Sequence, residues 1–129
     1  MSPAAAFIDA ARLVALLDRD ESEHGISENL LRIELNAGAA LVTSNYDVVK
    51  ASLELQRRYG IEGPRLLLHG LVPCLHVEWC TRRDHLAAVE AHLADASGTK
   101  DLVDCVAGEI ARRVGVTPMF RGDRAQQGR

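Results

Sequence analysis

Two short, unbroken apolar runs limit the folds open to this chain: Ala-Ala-Ala-Phe-Ile at residues 4–8 and Ala-Ala-Leu-Val-Thr at residues 39–43. Each is too short for a helix and leads directly into a segment whose apolar residues have helical spacing. Continuous runs of this kind suit strands buried on both faces, and strands alternating with helices build a parallel sheet covered on both sides. The expected fold is a three-layer α/β/α sandwich around a central, mostly parallel sheet of four or five strands. A chain of 129 residues is one domain, residues 1–129, long enough to bury a single substantial core.

The first strand is expected at 5–8, followed by a helix whose stripe of Ala11, Leu13, Val14, Ala15, Leu16 and Leu17 runs to about residue 18. A polar turn at 18–25 precedes a second helix from Ile26-Ser27, with Leu30, Leu31, Ile33 and Leu35 on its inner side and Gly38 past its end. After the second strand, Ser44 or Asn45 can cap a helix carrying Val48, Val49, Leu53 and Leu55, which Gly60 ends. Gly63-Pro64 separates this helix from Arg65–Leu71, and Leu75–Cys80, with partial alternation, reads as an edge strand. A helix through Leu86–Leu93, a loop at 97–99, a helix carrying Asp104 and a fourth strand at Thr117–Phe120 complete the pattern. Beyond Asp123 only Ala125 is apolar, so a fifth strand there is expected to be vestigial or absent.

Fifteen basic residues against eighteen acidic ones give a net charge of −3, so no global positive field draws in nucleic acid. Any RNA contact must rest on local patches: Arg57-Arg58, Arg82-Arg83, Arg112-Arg113 and the cluster from Arg121 to Arg129. Arginine pairs at helix ends are more often solvated residues that oppose the macrodipole. Three cysteines without Cys-x-x-Cys spacing, and nothing that reads as a signal peptide, point to reduced, buried thiols in a cytoplasmic protein. No apolar run approaches membrane length.

Acids at the carboxyl ends of parallel strands are where open α/β sheets gather their chemistry, and converging carboxylates suit Mg²⁺ or Mn²⁺. Asp9 closes the first apolar run, where it serves either as a site acid or as an N-cap. Asp104 lies three residues after Asp101, the spacing of a capping box, and one carboxylate can serve both the helix and a site. Asp123, in Arg-Gly-Asp-Arg, reads as an exposed turn from its own surroundings.

These residues resemble the PIN domain family over roughly residues 5–124. The likeness lies in Phe7-Ile-Asp-Ala with its following helix, Leu41-Val-Thr-Ser-Asn-Tyr-Asp-Val-Val-Lys50, Leu102-Val-Asp-Cys-Val, and Gly115-Val-Thr-Pro-Met-Phe-Arg-Gly-Asp. Order and spacing together carry it, more than any one piece. The resemblance implies a compact nuclease fold in which four acids bind Mg²⁺ or Mn²⁺ to cleave single-stranded RNA. Asp9, Asp104 and Asp123 fall on three of those acids and are the expected metal ligands and catalytic residues. The fourth, normally Glu, is here Lys50. Many such small chains are toxins paired with a small antitoxin protein and form homodimers, so those partners are expected by resemblance.

Lys50 opens three readings. It substitutes electrostatically for the ion; it pairs with Glu54 or Asp47 and leaves a three-acid site; or Asp47 replaces the lost glutamate. The last is the least favoured, because three residues along a helix turn the side chain by about 60° and shift it ~4.5 Å. His69 and His76, like His85 and His92, are too far apart in sequence for i,i+4 zinc ligation. There is no phosphate-binding glycine loop and no nucleophile elbow, and Trp79 is expected in a core or an interface rather than as a base-stacking platform. The leading function is a metal-dependent endoribonuclease weakened by Lys50; the competing one is a non-catalytic module that binds RNA or a protein.

Overall fold

The computed structural model describes residues 5–118. Four parallel strands lie in the order β3-β2-β1-β4: β1 is Ala5–Phe7, β2 Ala40–Ser44, β3 His76–Glu78 and β4 Thr117–Pro118. In register, Phe7 stands opposite Val42 and Pro118, and Val42 stands opposite His76. The edge position expected for the third strand is observed. Met119-Phe120, Asp123 and any fifth strand fall outside the described residues.

The helices are α1 (Ala10–Leu17), α2 (His24–Asn36), α3 (Asn45–Tyr59), α4 (Glu62–Arg65), α5 (Arg82–Ala94) and α6 (Leu102–Val114). Successive strand side chains point to opposite faces. Ala6, Ile8 and Leu41 therefore pack with Leu13, Val14, Ala51, Leu55 and Leu67 on one side. Phe7 and Val42 pack with Ala88, Val106, Ala107 and Ile110 on the other. These two apolar clusters flank the sheet and make the three layers.

Local chemistry sets the helix starts. Ser44 caps α3, accepting from Asp47 N at 3.0 Å. Thr81 and Asp84 form a reciprocal capping box on α5, as Asp101 and Asp104 do on α6. Gly60 and Gly115, with φ of 70° and 72°, end α3 and α6 in a conformation that favours glycine.

Three expectations need correcting. The second helix starts at His24 rather than at Ile26-Ser27, and Ile33 and Leu35 are exposed instead of inward; only one side of so peripheral a helix meets the core. Residues 62–74 form unbroken helical turns, α4 passing into a π-helical stretch (Leu66–Leu71) and a 3-10 turn (Val72–Cys74), with no break at Gly63-Pro64. That path carries Cys74 to the surface, while Cys80 and Cys105 are half-buried, so the cysteines are free but not the buried hydrophobes expected.

Candidate functional site at the carboxyl edge of the sheet

Asp9 follows β1 and Ser44 ends β2, so the two meet at the carboxyl edge of the sheet, where α1 and α3 begin. Asp9 Oδ1 accepts from Arg12 N at 3.0 Å and so acts as the N-cap of α1. Between the two helix starts lies Asp47, 1% exposed. Its Oδ1 accepts from Ala10 N at 2.9 Å and its Oδ2 from Ser44 Oγ at 2.5 Å. Asp47 thus fastens the first turn of α1 to the first turn of α3.

Burial pushes the Asp47 carboxyl up to about 7, against the two hydrogen bonds that favour its charged form. The negative fields of Asp9 and Asp104 push in the same direction as burial. Asp9 and Asp104 therefore both lie within electrostatic reach of Asp47. Asp47 was the least favoured of the Lys50 readings, and it is not a spare ligand, since both its oxygens are engaged. The sequence signal for it was Ser44-x-x-Asp47, an N-cap followed at N3 by an acid.

Asp104 has both roles of a capping-box acid. Its N–H donates to Asp101 Oδ1 at 2.8 Å, and its Oδ2 accepts from Asp101 N at 3.0 Å. Asp101 is the cap, as expected, and its second oxygen accepts from Lys50 Nζ. Neither Glu54 nor Asp47 takes Lys50. Glu54 is held by Arg57 and Arg58, which lower its carboxyl to about 2.

Partial burial opposes the Lys50 charge, but the bond to Asp101 and the fields of Asp101, Asp104 and Asp47 outweigh it and raise the ammonium above its ordinary value. Asp101, itself partly desolvated, is drawn below the usual carboxylate range by Lys50 and by the amide of Asp104. A fixed positive charge stands among these acids.

A divalent ion at this edge would need several free carboxylate oxygens. One oxygen each of Asp9 and Asp104 is committed to a helix cap, and both of Asp47 are taken. Among the described residues, no three His, Cys, Asp or Glu side chains come together as a metal-ion site. The described acids alone therefore do not fit the Mg²⁺ or Mn²⁺ expected, and Asp123 lies outside them.

Trp79 is neither core nor covered, at 69% exposed. Arg57-Arg58 and Arg112-Arg113 lie in the last turns of α3 and α6, where positive charge suits the macrodipole. Arg82-Arg83 instead open α5, where it does not.

No protein-family model matches the sequence, and no curated protein does. The structure is similar to the crystal structure of Mycobacterium tuberculosis VapC20, a sarcin–ricin loop cleaving toxin. The two are 22% identical over 96% of this chain and 95% of that one, with a TM-score of 0.78. The likeness is one of architecture. The fold of this chain is that of a PIN domain.

Proposed function

We propose that this chain is a PIN-fold protein that engages single-stranded RNA, and that Lys50 weakens its divalent-metal-dependent endonuclease site. One observation carries the reading: Lys50 donates to Asp101 while Asp104 and Asp47 hold its charge in place. Hydrolysis of a phosphodiester by such a site needs an ion to polarise the phosphoryl oxygen and to generate hydroxide. An ammonium there repels that ion. Likeness to a toxin that cleaves the sarcin–ricin loop supports RNA as the class of substrate.

A second reading keeps the hydrolase at full strength, with Asp9, Asp104 and Asp123 as ligands once Lys50 turns away. The shared field of Asp9 and Asp104 on Asp47 favours it. Endonuclease assays on a stem-loop RNA with Mn²⁺ separate the two. The proposal expects weak cleavage by wild type and a gain in Lys50→Glu. Strong wild-type cleavage that Lys50→Glu leaves unchanged would support the second reading.

The proposed partners are RNA, a small antitoxin protein and a second copy of the chain. Exposed Ile33, Leu35, Val49 and Leu53 support a protein interface on α2 and α3. No helix of the described residues is long and apolar enough to cross a membrane, and a cytoplasmic setting fits the free thiols.

A further inference from the structure

Arg82 and Arg83 occupy the first two positions of α5, where positive charge opposes the helix dipole and so costs stability. Neither has a carboxylate partner among the described residues. Two acids beside the helix start, Asp84 and Glu78, are already engaged by Arg113, and Glu90, on the same face of α5, makes no ion pair with either arginine among the described residues. Asp84 Oδ2 accepts from Arg113 Nη2 at 2.8 Å, and Glu78 Oε2 from Arg113 Nη1 at 3.0 Å. Arg113 thus occupies both carboxylates, and the adjacent guanidiniums of Arg82 and Arg83 have no ion-pair partner among the described residues.

Three residues before Arg82 stands Trp79, the single tryptophan of the chain and more exposed than any other aromatic residue among those described. Its backbone is fixed, because Trp79 O accepts from Arg113 Nη2 at 3.2 Å. The next residue is fixed too, since Cys80 N donates to Asn45 Oδ1 at 2.7 Å. A large apolar ring is therefore held in solvent by a rigid frame, within ~11 Å of chain from Arg82 and ~14 Å from Arg83.

The patch also borders the acidic edge. Ser44 pairs with Glu78 in the register of β2 and β3. Carrying the β1–β2 register on places Asp9 opposite Ser44. Trp79 thus follows β3 about two strand spacings, on the order of 10 Å, from Asp9.

We infer that Trp79, Arg82 and Arg83 form a binding surface for single-stranded RNA, with Trp79 stacking on a base and the two arginines holding flanking phosphates. An exposed ring beside unpaired guanidiniums is the combination that single strands use, since every base offers a π-face and every linkage a charge. The net charge of −3 makes a local cationic patch the place where a polyanion can approach. This inference rests on the RNA reading proposed above.

The test uses a fluorescein-labelled, mixed-sequence single-stranded RNA without divalent ions, followed by anisotropy and by the fluorescence of Trp79. Wild type is expected to bind with saturable quenching of Trp79. Trp79→Ala should bind roughly tenfold more weakly, and Trp79→Phe should recover most of that loss. Arg82→Gln/Arg83→Gln should bind more weakly and lower the slope of log affinity against log salt by about 1.4. RNA bound equally by every variant, with Trp79 unquenched, would overturn this surface and leave the RNA reading standing. No RNA binding by wild type, folded by circular dichroism, would overturn both.

Discussion

The Lys50 ammonium donates to Asp101 Oδ2 and so ties the middle of α3 to the N-cap of α6. Asp101 Oδ1 meanwhile accepts from Asp104 N at 2.8 Å, so one carboxylate serves both a helix and a tertiary contact. Both partners are about half exposed, so the pair contributes little to stability, ~1 kcal/mol at most. Its consequence is local charge rather than fold. Lys50→Ala should leave the urea midpoint nearly unchanged, and a large loss would mean that the pair holds α3 to α6.

Asp47 gives this protein an unusual pH dependence. Its carboxyl is raised to about 7 in the folded state, so the folded protein keeps a proton that the unfolded chain releases from about pH 4 upward. Below the unfolded value the group contributes nothing; between there and pH 7 its contribution to stability falls, by up to ~4 kcal/mol. Asp47→Asn can keep the acceptor for Ala10 N and offer Ser44 Oγ a donor. Urea melts at pH 5 and pH 7.5 should show the variant equal to or more stable than wild type at the higher pH, with a flatter profile. A less stable variant with an unchanged slope would mean that Asp47 is ionised and required.

Arg58 and Arg57 are neighbours with different burdens. Arg58 Nη1 donates to Asp18 at 2.6 Å and to Glu21 at 2.7 Å, and Asp18 is 3% exposed. The hydrogen bonds from Tyr59 and Arg58 hold the Asp18 carboxyl below its usual value. Its contribution is present above the unfolded value and is lost as pH falls through the folded one. Arg58→Ala leaves a buried carboxylate short of a partner and should cost about 3 kcal/mol in chemical denaturation. Arg57→Ala, at a side chain 70% exposed, should leave the midpoint nearly unchanged.

Gly63 sits where α4 presses on α3. A Cβ there would lie 2.5 Å from Leu55 O, a backbone atom that cannot give way cheaply. Gly63→Ala should destabilise by about 2 kcal/mol at unchanged m-value. A neutral result would show that α4 can lift away from α3.

The sheet was legible because burial on both faces leaves an unbroken apolar run, as in Ala5–Phe7 and Ala40–Ser44. The Asp101–Asp104 cap was legible because it is local, three residues in one turn. The Lys50–Asp101 bond joins residues 51 apart on two helices, and no local spacing announces it. Asp47 is announced locally as a helix-start acid by Ser44-x-x-Asp47, but its bond to Ala10 N spans 37 residues, and no local spacing announces that tie. The inward side of α2 was misjudged because Ile33 and Leu35 are as apolar as core residues, and only the tertiary arrangement leaves them outside. Arg82-Arg83 looked like a helix end in sequence, and only the boundary at Thr81 shows that it is the wrong end for them.

The central claim is that a fixed ammonium at position 50 opposes a divalent ion at the acidic edge. Mn²⁺ titration by calorimetry of wild type, Lys50→Glu and Asp9→Asn tests it without any choice of RNA. The account predicts weak or undetectable binding by wild type and at least about tenfold tighter binding by Lys50→Glu. Tight wild-type binding that Lys50→Glu leaves unchanged and Asp9→Asn abolishes would contradict it.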